Sequence, residues 1–206
     1  MYEKALYPAT QNALAILGQK SFLQEFYLAG GTAAALHLGH RRSVDLDFFS
    51  KNPFDGEWII QSLAQIDEVE ILKKEPKTLI GYWKQTRLEF FEYPYKLLEK
   101  PQMWLGIKIA GLRDIALMKM IAIANRGSKK DFFDLYEICK RGISLQELFK
   151  LLPLKFHQVK YDTYSLLKSL VYFENAENEP DPDLINGSSW ENVKAFFLKE
   201  AKTIEI

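Results

Sequence analysis

The chain has 206 residues, of which 48% are apolar and 26% charged, with 27 Lys+Arg against 27 Asp+Glu. This balance excludes a disordered or collagen-like chain and a uniformly basic nucleic-acid coat. The single cysteine, Cys139, rules out an internal disulfide, and the longest apolar run, Ile115 to Ala124, is broken by Lys119 well short of the ~20 residues that span a membrane.

In chain order, Pro8 to Leu17 reads as a first helix with Gly18 able to stop it. Phe26 to Ala29 reads as a short strand ending at Gly30-Gly31, and Thr32 to Leu38 as an Ala- and Leu-rich helix closed by Gly39. Val44 to Phe49 alternates like a second strand, with Val44, Leu46 and Phe48 on its apolar face. After a loop at Pro53, Glu57 to Ile66 is helical, and Val69 to Leu72, Leu79 to Trp83 and Arg87 to Phe91 form a strand meander. Ile107 to Ala110 is a shorter strand candidate.

Beyond Gly111 the period becomes helical. Leu112 to Asn125 carries a wide apolar stripe, and Lys130 to Arg141 follows after Gly127. Cys139 lies within that second helix and reads as a buried structural thiol. Ser144 with Glu147 forms a capping box for a further helix, with Pro153 beyond its end, and Tyr161 to Phe173 is helical. Asn175 to Asp183 is an acidic loop, and Ser188 with Glu191 is a capping box for a terminal helix. The fold class expected is α+β: a mixed-sheet core over residues 1–110, with a helical part over 111–206 packed on it. The opening MYEKALYPATQ lacks the apolar core of a secretion signal, so the expectation is a cytoplasmic protein with no membrane association.

Charge is unevenly placed. Residues 100–141 hold nine Lys/Arg and four acids, whereas residues 173–205 hold eight acids and three lysines. A basic middle beside an acidic tail suits an anionic ligand, or else two solvated faces.

The chemistry concentrates in YLAGGTAAALHLGHRRSVDLDFFS, residues 27–50. Gly30 and Gly31 let a backbone approach a ligand closely, and the helix N-terminus behind them suits a phosphate, with the Thr32 hydroxyl beside it. A plain strand-to-helix turn uses the same residues. Asp45 and Asp47, two apart on a strand, turn both carboxylates to one face. Such a pair repels unless a cation sits between its members, and hard carboxylate oxygens suit Mg²⁺. A solvated strand face is the alternative. Glu89, flanked by Leu88 and Phe90, is the favoured third acid; Glu92 falls on the opposite face of that strand.

Lys119 and Arg126, seven apart, lie near one face of one helix. A lysine inside an apolar run needs a partner, such as a triphosphate, or a snorkelling path to water. Asp131 and Asp134 are spaced i,i+3 on the next helix, where an acid in the first turn also suits the helix dipole. His40, Arg41 and Arg42 precede the Asp pair and could meet phosphates or water, while His37 and His157 lack ligand-like company.

The run GGTAAALHLGHRRSVDLDFF resembles the AbiEii/AbiGii toxin family of nucleotidyltransferases, within the superfamily of DNA polymerase β. LMKMIAIANRGSKKDFFDLYEI is similar to that family's later motifs, matching at Lys119, Arg126, Lys130, Asp131 and Asp134. The resemblance spans about Phe26 to Ile138. It implies a nucleotidyltransferase-like mixed sheet and Mg²⁺-dependent transfer of a nucleoside monophosphate from a nucleoside triphosphate. It implies Asp45 and Asp47 as metal ligands, Lys119, Asp131 and Glu89 as further catalytic residues, and Gly30, Gly31, Thr32, Arg41, Arg42, Ser43, Arg126 and Lys130 around the nucleotide. It further implies a toxin of a toxin–antitoxin or phage-defence pair, with tRNA or another RNA as acceptor and a cognate antitoxin protein as partner. The alternatives are a small-molecule or protein acceptor, or a nucleotide-binding module without turnover.

Overall fold

A computed structural model describes residues 1–157, 159 and 161–205. Helix α1 (Pro8–Leu17) leads to strand β1 (Tyr27–Leu28), helix α2 (Gly30–Leu38), strand β2 (Leu46–Ser50) and helix α3 (Gly56–Ala64). Strands β3 (Val69–Glu75), β4 (Thr78–Trp83), β5 (Thr86–Glu92), β6 (Gln102–Trp104) and β7 (Ile107–Ile109) follow. The remaining helices are α4 (Leu112–Arg126), α5 (Lys129–Lys140), α6 (Leu145–Lys155), α7 (Thr163–Ser169), α8 (Glu174–Glu177) and α9 (Trp190–Glu200).

One seven-stranded mixed sheet runs in the order β3-β4-β5-β2-β1-β7-β6. Strand β2 pairs antiparallel with β1 and parallel with β5, which puts Asp47 beside Glu89 and Phe49 beside Phe91. The period-2 pleat then sorts the residues by face. Phe48 and Phe90 are 0% and 1% exposed, stack at 5.2 Å, and join Phe22 and Phe26 in one aromatic core. Asp47, Phe49, Glu89 and Phe91 face the other way, into a cleft. Helix α2 packs on α4 and α5, which form the wall across that cleft. A second aromatic cluster, Phe132, Phe173, Trp190 and Phe197, fastens α9 to α5.

Several elements differ from expectation for identifiable reasons. Helix α2 begins at Gly30 rather than Thr32, because Gly30 takes φ +66° and turns the chain directly into the helix. Strand β2 begins at Leu46, so Asp45 precedes the ladder, and Val44 is exposed rather than on the apolar face. Strand β6 is an addition: only three residues of edge strand, too short to show an alternation. Pro153 lies inside α6, not beyond it, since buried Lys155, paired with Asp114 at 2.6 Å, and buried Phe156 hold the last turn. Helix α7 covers only Thr163–Ser169 of the longer span expected, with Asp162 capping it through Tyr164 and Ser165 N–H. Ser144 caps α6 as expected, whereas α9 is capped by Ser189, because the Ser188 hydroxyl donates to Glu137 at 2.6 Å instead.

Candidate active site

The cleft between the sheet and α4–α5 has a volume of about 600 Å³, within the range that holds a nucleotide-sized ligand. Gly30 and Gly31 line it at the start of α2, whose cap residue, Ala29, offers no side-chain acceptor to the first-turn amides. These amides carry the helix's positive end. The glycines are needed sterically. A Cβ on Gly30 would overlap the Asp47 carboxylate, and one on Gly31 would overlap the Arg41 guanidinium. The Ala29 N–H donates to the Asp47 carbonyl at 3.0 Å, tying the turn to β2. Thr32 is fully buried; its hydroxyl donates to the Asp45 carbonyl and lies 2.9 Å from Ser43 Oγ. Thr32 therefore fixes the approach to β2, and its hydroxyl is turned inward.

Asp45, Asp47 and Glu89 all line the cleft. Among the described residues, no Lys or Arg pairs with Asp45 or Asp47, while Glu89 meets Arg87 at 2.6 Å. Burial first, then Glu89 and Asp45, push the Asp47 carboxyl up to about 6, against the pull of Lys119 and Lys130. Two cleft carboxylates with no Lys or Arg ion-paired to them among the described residues have oxygen lone pairs to spare. Among the described residues, no three His, Cys, Asp or Glu side chains close a metal cage. The donor set thus fits a hard divalent cation that completes its shell with water and substrate oxygens, the usual habit of Mg²⁺.

The facing wall is a buried ion network. Lys119, 4% exposed, donates to Asp131 at 2.7 Å and pairs with Asp134 at 2.6 Å. Arg126 grips Asp131 at 2.7 and 3.0 Å, and Arg41 grips Asp134 at 2.6 and 2.9 Å. His40 Nε2 lies 2.7 Å from the same Asp134 carboxylate. Burial opposes every charge here, but the partners outweigh it. Arg41 and Lys119 hold Asp134 well below the ordinary aspartate value, and Lys119 and Arg126 lower Asp131. Asp134 and Asp131 in turn raise Lys119. The partner that a lysine in an apolar run requires is thus this pair of α5 carboxylates, and Lys119 still borders the cleft.

The residues the sequence singled out for the site line this one cleft, except Thr32, His40 and Asp134. Ser43, Arg41 and Arg42 come from the loop before β2, and Lys130, exposed, from the first turn of α5. Arg42 lies over the Tyr7 ring and 3.6 Å from Asp183 Oδ2, the same oxygen that accepts from the Tyr7 hydroxyl at 2.5 Å. Sequence reasoning gave no role to Tyr7, Asp183, Phe49, Phe91, Tyr93, Met118 or Ile121, all in the lining. For Phe49 and Phe91 the signal existed: the alternation that turns Asp47 and Glu89 to the cleft turns them there too.

Comparison with known proteins agrees with this geometry. The family described as "Nucleotidyl transferase AbiEii toxin, Type IV TA system" matches residues 12–203. A relative from Aquifex aeolicus (strain VF5), described as uncharacterized protein aq_aa25, is 44% identical over 183 residues, or 86% of this chain and 87% of its own. The fold is similar to that of MenT4, a nucleotidyltransferase toxin of Mycobacterium tuberculosis H37Rv, with TM-score 0.63, 15% identity, and 96% and 82% of the two chains covered. It is also similar to JHP933 of Helicobacter pylori, with TM-score 0.58, 19% identity, and 98% and 89% covered. No helix among the described residues is long and apolar enough to cross a membrane. With motifs, sheet order, cleft and a match over nearly the whole length in accord, the chain belongs to the AbiEii family of nucleotidyltransferase toxins.

Proposed function

We infer that the cleft binds a Mg²⁺-bound nucleoside triphosphate and transfers its monophosphate to a hydroxyl of an RNA acceptor, of which tRNA is the leading candidate. The observation that carries this reading is the pairing of the uncapped Gly30-Gly31 helix end with two carboxylates that no Lys or Arg ion-pairs among the described residues. Asp45 and Asp47 would hold the metal. When bound, Mg²⁺ neutralises phosphate oxygens and acidifies an attacking hydroxyl.

The chain's own groups do the rest. The α2 amides receive phosphate oxygens, and Lys130 and Arg126 reach the cleft with positive charge for the triphosphate. Lys119, locked by Asp131 and Asp134, supplies a fixed positive charge that needs no reorganisation during the reaction. Glu89, on the strand beside Asp47, accepts the proton of the acceptor hydroxyl. The new bond joins that oxygen to the α-phosphorus, and the bond to pyrophosphate breaks. A toxin of this kind works against its own cell, so the matched family's type IV pairing supports a cognate antitoxin protein as partner. The excess of Lys/Arg over acids in residues 100–141 supports an RNA backbone as the acceptor's anchor.

The test is incubation with each of the four α-labelled triphosphates, Mg²⁺ and total RNA, beside an Asp45→Ala/Asp47→Ala protein. Label enters RNA with the wild type, and incorporation falls by several powers of ten in the variant. Label on protein instead of RNA moves the acceptor to a polypeptide, binding without pyrophosphate release marks a module without turnover, and equal incorporation by both proteins refutes the assigned roles.

A further inference from the structure

The charged residues account for only part of the cleft lining. Apolar residues supply another part: Phe49, Phe91 and Tyr93 from the sheet side and Met118 and Ile121 of α4, with Asn125 in the last turn of that helix. These three rings are only partly buried, in contrast to Phe48 and Phe90 on the opposite face of the same strands. Apolar surface left open inside a charged cleft marks a ligand's apolar part.

The rings form a continuous surface. Phe49 lies 5.4 Å from both Phe91, at 31° between planes, and Tyr93, at 71°. They are also held. The Tyr93 N–H donates to the Ser50 carbonyl at 2.7 Å, and Lys155 Nζ lies 5.7 Å from its ring. Register fixes their place relative to the carboxylates. Phe49 is two residues beyond Asp47, and Phe91 two beyond Glu89, so the aromatic surface begins about 6–7 Å along the sheet from the acids. That offset is comparable to the span from an α-phosphate across a ribose to its base. The exposed Asn125 amide, with no hydrogen-bond partner among the described residues, offers both a donor and an acceptor in the cleft lining.

We propose that Phe49, Phe91 and Tyr93 form a stacking surface for a nucleobase, and that Asn125 reads the edge of that base. The proposal deepens the nucleotidyltransferase reading and rests on it. The base belongs either to the incoming triphosphate or to the terminal nucleotide of the acceptor; both present the same flat π-face and polar edge. Aromatic rings tolerate any base, so the rings supply affinity and Asn125 supplies preference.

The experiment compares wild-type protein with Phe91→Leu and Asn125→Ala, each checked for an unchanged circular-dichroism spectrum. Dissociation constants are measured in Mg²⁺ for the four triphosphates and for inorganic tripolyphosphate, and KM for the acceptor RNA. If the base comes from the triphosphate, Phe91→Leu weakens triphosphate binding about five- to 150-fold and leaves tripolyphosphate within about twofold. If it comes from the acceptor, triphosphate binding holds and the acceptor KM rises by that factor. In the first case Asn125→Ala flattens the preference among the four triphosphates, and in the second it raises the acceptor KM; the absence of both changes overturns the role of Asn125. Unchanged triphosphate binding and unchanged KM in Phe91→Leu overturn the stacking surface alone. Failure of the wild type to bind either triphosphate or tripolyphosphate overturns the nucleotidyltransferase reading, and the stacking surface with it.

Discussion

Replacing Asp134 by Asn removes one negative charge from the centre of the buried network while keeping the side chain's size. Asp134 is 0% exposed and neutralises Arg41 at 2.6 Å and Lys119 at 2.6 Å, with His40 also at 2.7 Å. With Asn in place, Asp131 alone must balance Lys119 and Arg126, and Arg41 keeps at most one of its two hydrogen bonds and loses its counter-charge. Breaking a buried pair by removing one partner costs about 3–5 kcal/mol, a large share of the roughly 5–15 kcal/mol that holds a domain folded. Urea unfolding followed by tryptophan fluorescence at pH 7 measures it. Restoring the balance with Lys119→Met in the same chain should recover about 0.5–3 kcal/mol relative to additivity. The loss also depends on pH in a definite direction. The Asp134 carboxyl lies well below its ordinary value in the folded state, so its contribution is complete above the unfolded aspartate value of 3.8 and disappears as pH falls further. The difference between Asp134→Asn and wild type is therefore full at pH 5–8 and narrows only in stronger acid. A loss under about 1 kcal/mol at pH 7, or no recovery in the double variant, refutes the network as a unit.

Asp47 should behave in the opposite sense. Its folded carboxyl is pushed up to about 6 from 3.8, so wild-type stability falls as pH rises through that window, and in EDTA at pH 7.5 Asp47→Asn should be more stable by about 2–3 kcal/mol. The gain shrinks as pH drops from 6 towards 4, and a destabilised Asp47→Asn at pH 7.5 contradicts the unpaired placement of this acid. Gly30→Ala forces a Cβ onto the Asp47 carboxylate at positive φ, so thermal unfolding should show a loss above about 1 kcal/mol and transfer activity should fall with it, whereas an unchanged melting temperature argues against the close approach. RNA affinity should drop steeply between 50 and 200 mM salt; a flat salt response removes the Lys/Arg excess of residues 100–141 as the RNA contact.

Much of the site could be read in the sequence because its signals are local. The Gly-Gly turn and the alternating V-D-L-D-F carry their own geometry, and the i,i+3 spacing of Asp131 and Asp134 puts both near Lys119 once α4 and α5 pack. What Lys119 pairs with was not legible, since it depends on how two helices meet across Gly127. Nor was the inward turn of Thr32, which depends on the chain between Ser43 and Asp45 passing beside α2. Tyr7 and Asp183 are 176 residues apart and meet only through the folded chain. Caps and ends moved by a residue or more where a competing partner existed, as when Ser188 turned to Glu137 and left the cap to Ser189.

The most direct measurement is calorimetric titration of a nucleoside triphosphate into wild-type protein and Asp47→Asn, in Mg²⁺ and in EDTA. Binding by the wild type that requires Mg²⁺ and is lost in Asp47→Asn agrees with two unneutralised aspartates acting as the metal's protein ligands. Binding that is equally tight in EDTA, or undiminished in the variant, contradicts it.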